Sequence, residues 1–426
     1  MPEAEKSLAE LIEGLTDADV WVRKDSARAF GALGRGALGA LDVLIDALIR
    51  SELHTSAYDP DLNGNLLHSI MQIVRGSAEW TRDVPPPGAK PGEWNPFRPP
   101  SSLIIADAVT RAVGKTNETL SEADYQSLDA LSLGGSELED LGPLERLTGL
   151  KAFNLIGSKV EDVRPLASLK GLEKLNLMMN PTTDSSLLGR IESLQELTFF
   201  GLGPYGKAFI DIEPLGNLSG LRRLRLGNFR VSNIEPLRGL HRLEELFLLG
   251  AKISDLEPLS GLDRLRTLFL GGSEITDLAP IAGLVGLEEI DLRASKLADL
   301  QQLAGLTGLR SLGLEMAGIS DLGPIGMLTG LERLYLQGNP LTDLGPLGSL
   351  ARLRFLDLGA TPVSDLGPLA GLSQLVSLRL QNDHVTDLSP LRGLTRLRQL
   401  SLLPKKVPRE QESLLKEALP DLRIYW

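Results

Sequence analysis

The chain of 426 residues contains no cysteine. Disulfides, thiolate nucleophiles and cysteine-held metal are therefore excluded. Histidine is scarce as well: His54, His68, His241 and His384 stand far apart, with no H-E-x-x-H or similar ligand spacing. Neither metal nor cofactor is expected. No run of apolar residues reaches the roughly 20 that a membrane helix needs, and Met1 to Gly14 lacks the apolar centre of a signal peptide. Cytoplasm is the expected compartment, with no membrane partner. Basic residues are outnumbered 44 to 56, giving a net charge of −12. A nucleic-acid partner would require a basic stripe that this chain does not have.

Motifs of catalysis are missing too. Gly114-Lys115-Thr116 has Val109 where a phosphate-binding loop needs glycine, and no G-x-S-x-G elbow occurs. No catalytic residue is assigned.

What is present is periodicity. In the frame L-x-x-L-x-L the first leucine falls at Leu128, Leu150, Leu172, Leu194, Leu221, Leu243, Leu265, Leu287, Leu309, Leu331, Leu353, Leu375 and Leu397. One step is 27 residues and all others are 22. A period of this length means stacked units, none able to bury its apolar face alone, and hence a solenoid. The frame, followed by stretches such as Ile319 to Leu331 (I-S-D-L-G-P-I-G-M-L-T-G-L), resembles the leucine-rich repeat family in its short, internalin-like class. The resemblance implies an α/β solenoid, a horseshoe with a parallel concave sheet and short helical turns on its convex side. It also implies protein–protein recognition and no enzymatic activity.

A second register carries Asp140, Asp162, Asp184, Asp211, Asn233, Asp255, Asp277, Asp299, Asp321, Asp343, Asp365 and Asp387, in most units just before L-x-P-L. Asp accepts hydrogen bonds from the free amides of a first helical turn, where Pro is also tolerated. The ladder predicts convex-side caps. A calcium array would need clustered ligands, and these carboxylates come one per repeat.

Residues 1–120 follow a different pattern. Leu11 to Gly34, with Asp17, Asp19, Val22, Arg23, Ala27 and Ala29 in register, resembles a HEAT repeat, which implies a small all-α domain of antiparallel helix pairs. Further helices are predicted over Ala40 to Arg50, Gly64 to Val74 and Ser102 to Val113, covering the open first strand of the sheet. Gly76 to Pro100 holds Trp80, Trp94, Phe97 and seven prolines, which exclude helix interior and central strand. Two readings of this loop stay open: a partner-binding arm on a polyproline scaffold, or a surface excursion whose aromatics pack back on the helices. Residues 121–404 form a solenoid of about 13 repeats by the leucine count. Residues 405–426 form a cap, with a helix over Pro408 to Leu419 and a strand over Leu422 to Trp426.

Strand alternation sends frame positions 1, 4 and 6 into the core and positions 3, 5 and 7 outward. The outward positions hold two apolar groups, Ile156–Met178–Phe200 and Phe247–Leu249–Phe269, and a smaller Tyr335–Phe355 pair. Only 4% of the chain is aromatic, and spending these residues on exposed strand positions marks an interface centre. Asp291, Arg293, Glu315, Asp357 and Arg379 form a mixed-charge surround, with Arg225 beside Phe247 in the register. The five extra residues near Gly201 to Lys207 place Tyr205 beside the strip. They are either a clamp or a neutral insertion. The expected partner-binding set is Ile156, Met178, Phe200, Tyr205, Arg225, Phe247, Leu249, Phe269, Asp291, Arg293, Tyr335 and Phe355.

Three functions remain open: a protein-binding module acting as inhibitor, immunity factor or scaffold; a self-assembling structural protein, less favoured; and, remotely, a HEAT-like lyase or chromophore-transfer factor.

Overall fold

The computed structural model describes residues 101–115, 120–134, 138–181, 185–200, 211–227, 231–381, 384–403 and 406–426, and before them the single positions Leu11, Ser26, Val43, Leu44, Ile45, Ala47 and Ile70. Fourteen strands form one parallel sheet in strict sequence order. They are β1 (Ala130–Gly134), β2 (Ala152–Ile156), β3 (Lys174–Asn176), β4 (Glu196–Phe200), β5 (Arg223–Gly227), β6 (Glu245–Leu249), β7 (Thr267–Phe269), β8 (Glu289–Asp291), β9 (Ser311–Gly313), β10 (Arg333–Tyr335), β11 (Phe355–Asp357), β12 (Ser377–Leu380), β13 (Gln399–Leu402) and β14 (Arg423–Tyr425). The repeat sets the register: Leu131 pairs Phe153, which pairs Leu175, which pairs Leu197. Leu197 then pairs Leu224 across the long step, so the five extra residues lie wholly between β4 and β5. A slip of one residue would turn every leucine out of the core.

Short 3-10 turns such as Gly142–Arg146, Gly345–Ser349 and Ser389–Gly393 run opposite the sheet. Their leucines share one core with the strand leucines. Each of the eleven described Asp or Asn ladder residues accepts a hydrogen bond at 2.7–3.0 Å from the backbone N–H two positions on. That donor opens the 3-10 turn, so the carboxylate works from one position before the N-cap leucine, as an Asx turn. Asp184 lies outside the described residues.

Two further devices hold neighbouring units together. Asn339 is buried, accepts from the Ile319 N–H at 2.9 Å and donates to the Leu314 and Leu336 carbonyls at 2.7 and 2.8 Å. Asn180 does the same, taking the Ser158 N–H and giving to the Leu155 and Met178 carbonyls. Second, where the chain leaves the strand at frame position 8 the backbone is left-handed. Gly157, Gly250, Gly272 and Gly338 adopt positive φ there, and so do Met179, Ala294, Met316 and Ala360.

The ends are covered by helices. Helix α1 (Ser101–Ala112) lays Ile104, Ile105 and Val109 into the leucine core, and its Ser101 hydroxyl accepts from the Glu139 and Asp140 amides. Helix α2 (Glu122–Gln126) starts in a capping box of Ser121 and Asp124. At the other end helix α3 (Arg409–Ala418) buries Leu415, and β14 adds the final strand. The HEAT-like unit and the proline-rich loop at 76–100 lie outside the described residues apart from the single positions above.

Candidate interaction surface

Alternation along the strands divides the side chains as the frame requires. Positions 4 and 6 enter the leucine core; positions 3, 5 and 7 stand on the other, outward face. Phe247 and Phe269 meet there edge to face with ring centroids 4.4 Å apart, a geometry that aromatic quadrupoles favour. Tyr335 and Phe355 meet at 4.8 Å. An arginine flanks each pair, Arg225 over the Phe247 ring and Arg379 over the Phe355 ring, both at 5.3 Å. Neither pair belongs to the leucine core.

The apolar residues were expected to be exposed, and those that are described are not. Phe247, Phe269 and Ile156 are each 0% exposed, and Met178, Phe200, Tyr335 and Phe355 are also buried. Ile156, Met178 and Phe200 occupy one register row, joined by the bonds from Gly157 N to Met178 O and from Met179 N to Phe200 O. The Phe200 ring lies where a Cβ on Gly227 would stand, so the missing side chain on β5 makes room for the ring from β4.

Burial also reshapes the charged surround. Asp291 is fully buried; its Oδ2 accepts from Arg293 Nη2 at 2.6 Å and its Oδ1 from the Arg293 backbone N–H at 2.9 Å. Desolvation pushes the Asp291 carboxyl up against the opposing pull of Arg293. Asp357 is likewise pushed up by burial, with Arg379 at 3.4 Å and the Gly359 N–H drawing it down. Glu315 is 2% exposed, and its Oε2 has no hydrogen-bond partner among the described residues. Burial lifts it to about 8, with Arg293 opposing and Asp291 adding to the rise. Gly313 lies between them: a Cβ there would be 3.2 Å from both Asp291 Oδ1 and Glu315 Oε2.

Position 3 carries a charge ladder that the sequence analysis did not single out. Lys174 pairs Glu196 at 2.9 Å, Glu196 pairs Arg223 at 3.2 Å, and Arg223 pairs Glu245 at 3.5 Å. Glu245 also holds Arg225 at 2.7 Å, and Arg333 reaches Glu289 at 3.2 Å. The signal was legible in the alternating signs at one frame position. Above this ladder is a cavity of about 240 Å³ whose lining includes Asn154, Thr198, Arg223 and Glu245 and, from the N-terminal stretch, Val43 and Ile45.

Of the expected partner-binding residues, Tyr205 and the Leu249 side chain lie outside the described residues. Ile156, Met178 and Phe200 form one group. Arg225, Phe247 and Phe269 form a second, with Asp291 on the next strand and Arg293 paired to it. Tyr335 and Phe355 form a third. Among the described residues no group of three His, Asp or Glu side chains could hold a metal ion, and no helix is long and apolar enough to cross a membrane.

Comparison with known proteins fits this architecture. The family model described as leucine-rich repeats in two copies matches residues 219–261 and 329–371. The chain thus carries leucine-rich repeats, arranged as a solenoid. A crystal structure of an internalin from Listeria monocytogenes is similar over 80% of this chain and 92% of its own, at 27% identity and a TM-score of 0.58. A leucine-rich repeat protein of Leptospira interrogans is similar over 72% of this chain and 97% of its own, at 19% identity and a TM-score of 0.50. The leucine-rich ectodomain of a plant membrane receptor kinase from Arabidopsis thaliana, solved in complex with Casparian strip integrity factor 2, aligns over 67% of this chain and 37% of its own, at 21% identity and a TM-score of 0.54. The last two share the fold alone. No match was found among curated proteins. Because 455 solved chains match, the fold by itself names no partner.

Proposed function

We propose that this chain is a non-enzymatic binding module that holds a specific protein on the outward face of its repeat sheet, as an inhibitor, immunity factor or scaffold. The observation that carries the reading is the row Arg225, Phe247, Phe269, Tyr335, Phe355 and Arg379. These side chains lie on one face and outside the leucine core, so the solenoid does not need them to close its interior. Large aromatics braced by arginine are what the centres of protein interfaces are made of. Fourteen strands at about 4.8 Å give a face on the order of 60 Å long, enough for a folded partner.

Self-assembly through the same strip is the weaker reading. Phe247 and Phe269 are buried within a single chain, so two copies meeting there would both have to uncover their rings, whereas binding of a different partner asks this of one chain only.

The test is affinity purification from the native cell with the intact chain and with the Arg225→Glu/Arg379→Glu variant, which reverses charge at both ends of the row. One stoichiometric protein, lost from the variant, is the expected result. A partner retained in full by the variant, or none at all with the intact chain, overturns the assignment. Recovery of the chain itself would instead support self-assembly.

A further inference from the structure

The edge of the solenoid at the start of the strands carries a second charge ladder, and it is broken once. At frame position 2 the signs alternate from Arg222 through Glu244, Arg266, Glu288 and Arg310 to Glu332. Each amide in this row bonds to the carbonyl of the row's preceding residue at 2.7–2.8 Å, so the six stand as direct neighbours. Side chains pair along the row as well, Arg222 with Glu244 at 2.8 Å and Arg310 with Glu332 at 3.2 Å. The next three residues are Arg354, Val376 and Arg398, joined by the same backbone bonds at 2.8 Å. Alternation calls for an acid at position 376. A half-buried valine stands there, and the arginines on either side lose the carboxylate between them.

The residues just before the first leucine repeat this pattern in the same three units. They are Arg352, Gln374 and Arg396, with Arg396 Nη1 donating to Gln374 Oε1 at 2.6 Å. Four exposed arginines therefore frame the neutral pair Gln374 and Val376. The frame measures about 10 Å along the solenoid, two strand spacings, and about 7 Å along each strand. Residues 350–355, 372–377 and 394–399 include no Asp or Glu. Of the flanking acids, Glu332 is engaged by Arg310, and Asp421 reaches Arg398 only at 3.7 Å with most of its side chain in water. Among the described residues, the Arg352 and Arg354 side chains have no hydrogen-bonded or ionic partner.

In a chain of net charge −12, four cations gathered round an amide and an apolar side chain make a local field that favours an anion. The frame spans three repeats, too short for the basic stripe that a nucleic acid needs. It also adjoins the proposed interface, because Arg354 precedes Phe355, whose ring lies under Arg379. An extended peptide sets alternate side chains about 7 Å apart on one side. That spacing matches Arg352 to Arg354 and Arg396 to Arg398.

We infer that this arginine frame docks an acidic, extended segment of the protein partner, which crosses Gln374 and Val376 and leads on to the Phe355 end of the aromatic row. The inference rests on the proposed binding function and supplies the chemistry of the partner.

Val376→Glu restores the missing step of the ladder and tests the site. Glutamate already fills this frame position at Glu244, Glu288 and Glu332, so the variant is expected to keep the circular dichroism of the parent. The probe is a fluorescein-labelled octaglutamate peptide, its anisotropy followed with the purified full-length chain. Binding is expected at low salt and should weaken as salt is added. Val376→Glu should weaken it by roughly tenfold or more, because a like charge then stands at the centre of the site. Arg352→Gln/Arg396→Gln, at two exposed positions, should give the same loss and serves if the first variant fails to fold. No binding by the parent, or equal binding by parent and variants, overturns the proposal. Tighter capture of an oligothymidylate of the same charge also overturns it, in favour of nucleic acid. The two readings fail separately: a native partner lost from Arg225→Glu/Arg379→Glu but retained in full by Val376→Glu strikes the frame and leaves the outward face as the binding surface.

Discussion

The rings of Phe247 and Phe269 lie edge to face, 4.4 Å between centroids, on the side of the sheet turned away from the leucines, and both are wholly buried. A second hydrophobic centre thus sits across the sheet from the first. Truncation of either ring should act like a core mutation. Phe269→Ala is expected to cost about 3 kcal/mol, read as a lowered urea midpoint. The double variant with Phe247→Ala should cost less than the sum, because the two single losses share one ring contact. Single losses within about 0.5 kcal/mol, the range of ordinary surface substitutions, would mean that the rings face water.

Glu315 makes stability depend on pH. Its folded value of about 8 lies above its ordinary 4.5, so its favourable contribution is complete below 4.5 and is lost as pH rises through about 8. Glu315→Gln removes the charge and keeps the shape. The variant is expected to match the parent near pH 5 and to exceed it at pH 9 by an amount on the order of 2 kcal/mol. Thermal melts at pH 5, 7 and 9 check this; parallel curves for the two proteins would contradict it.

Two polar ladders should differ sharply in weight. Asn339→Ala strands the buried Ile319 N–H and the Leu314 and Leu336 carbonyls, at roughly 1–3 kcal/mol for each group left unpaired. Asp343→Ala removes one exposed cap to the Gly345 N–H, about 1 kcal/mol. Paired denaturation curves should rank Asn339 well above Asp343, and the reverse order would refute the assignment of these bonds.

Ala294 and Ala360 adopt φ of 53° and 50°. An L residue is strained there by about 1–2 kcal/mol, while glycine loses roughly 0.5–1 kcal/mol more chain entropy on folding. Strain wins. Ala294→Gly and Ala360→Gly should each stabilise by about 0.5 kcal/mol, and Ala304→Gly, where φ is −55°, should destabilise. Loss of midpoint at all three positions would contradict the account.

The solenoid was legible in the sequence because one leucine frame sets strand position, register and core face together. Leu131, Phe153 and Leu175 could be placed without coordinates, and so could the Asp ladder. Its Asx-turn geometry could not, since Asp140 and Gly142 differ by one backbone position from an ordinary cap. The outward residues were found by the same frame, and their exposure was misjudged. Alternation tells which way Phe247 points and says nothing of what lies above it. Glu315 was expected in an exposed surround for the same reason. The long-range approach of Val43 and Ile45 to Thr198 has no periodic signal at all.

The most direct test of the account is a thiol-accessibility scan along the outward face, with single substitutions Ser132→Cys, Thr267→Cys, Ser311→Cys, Ser377→Cys and Ser401→Cys in the full-length chain. Positions 132 and 401 should label freely. Positions 267, 311 and 377, which are buried, should be slowed by roughly tenfold or more, the factor that about 1.4 kcal/mol supplies. Equal labelling at all five positions would show an open face and contradict the account.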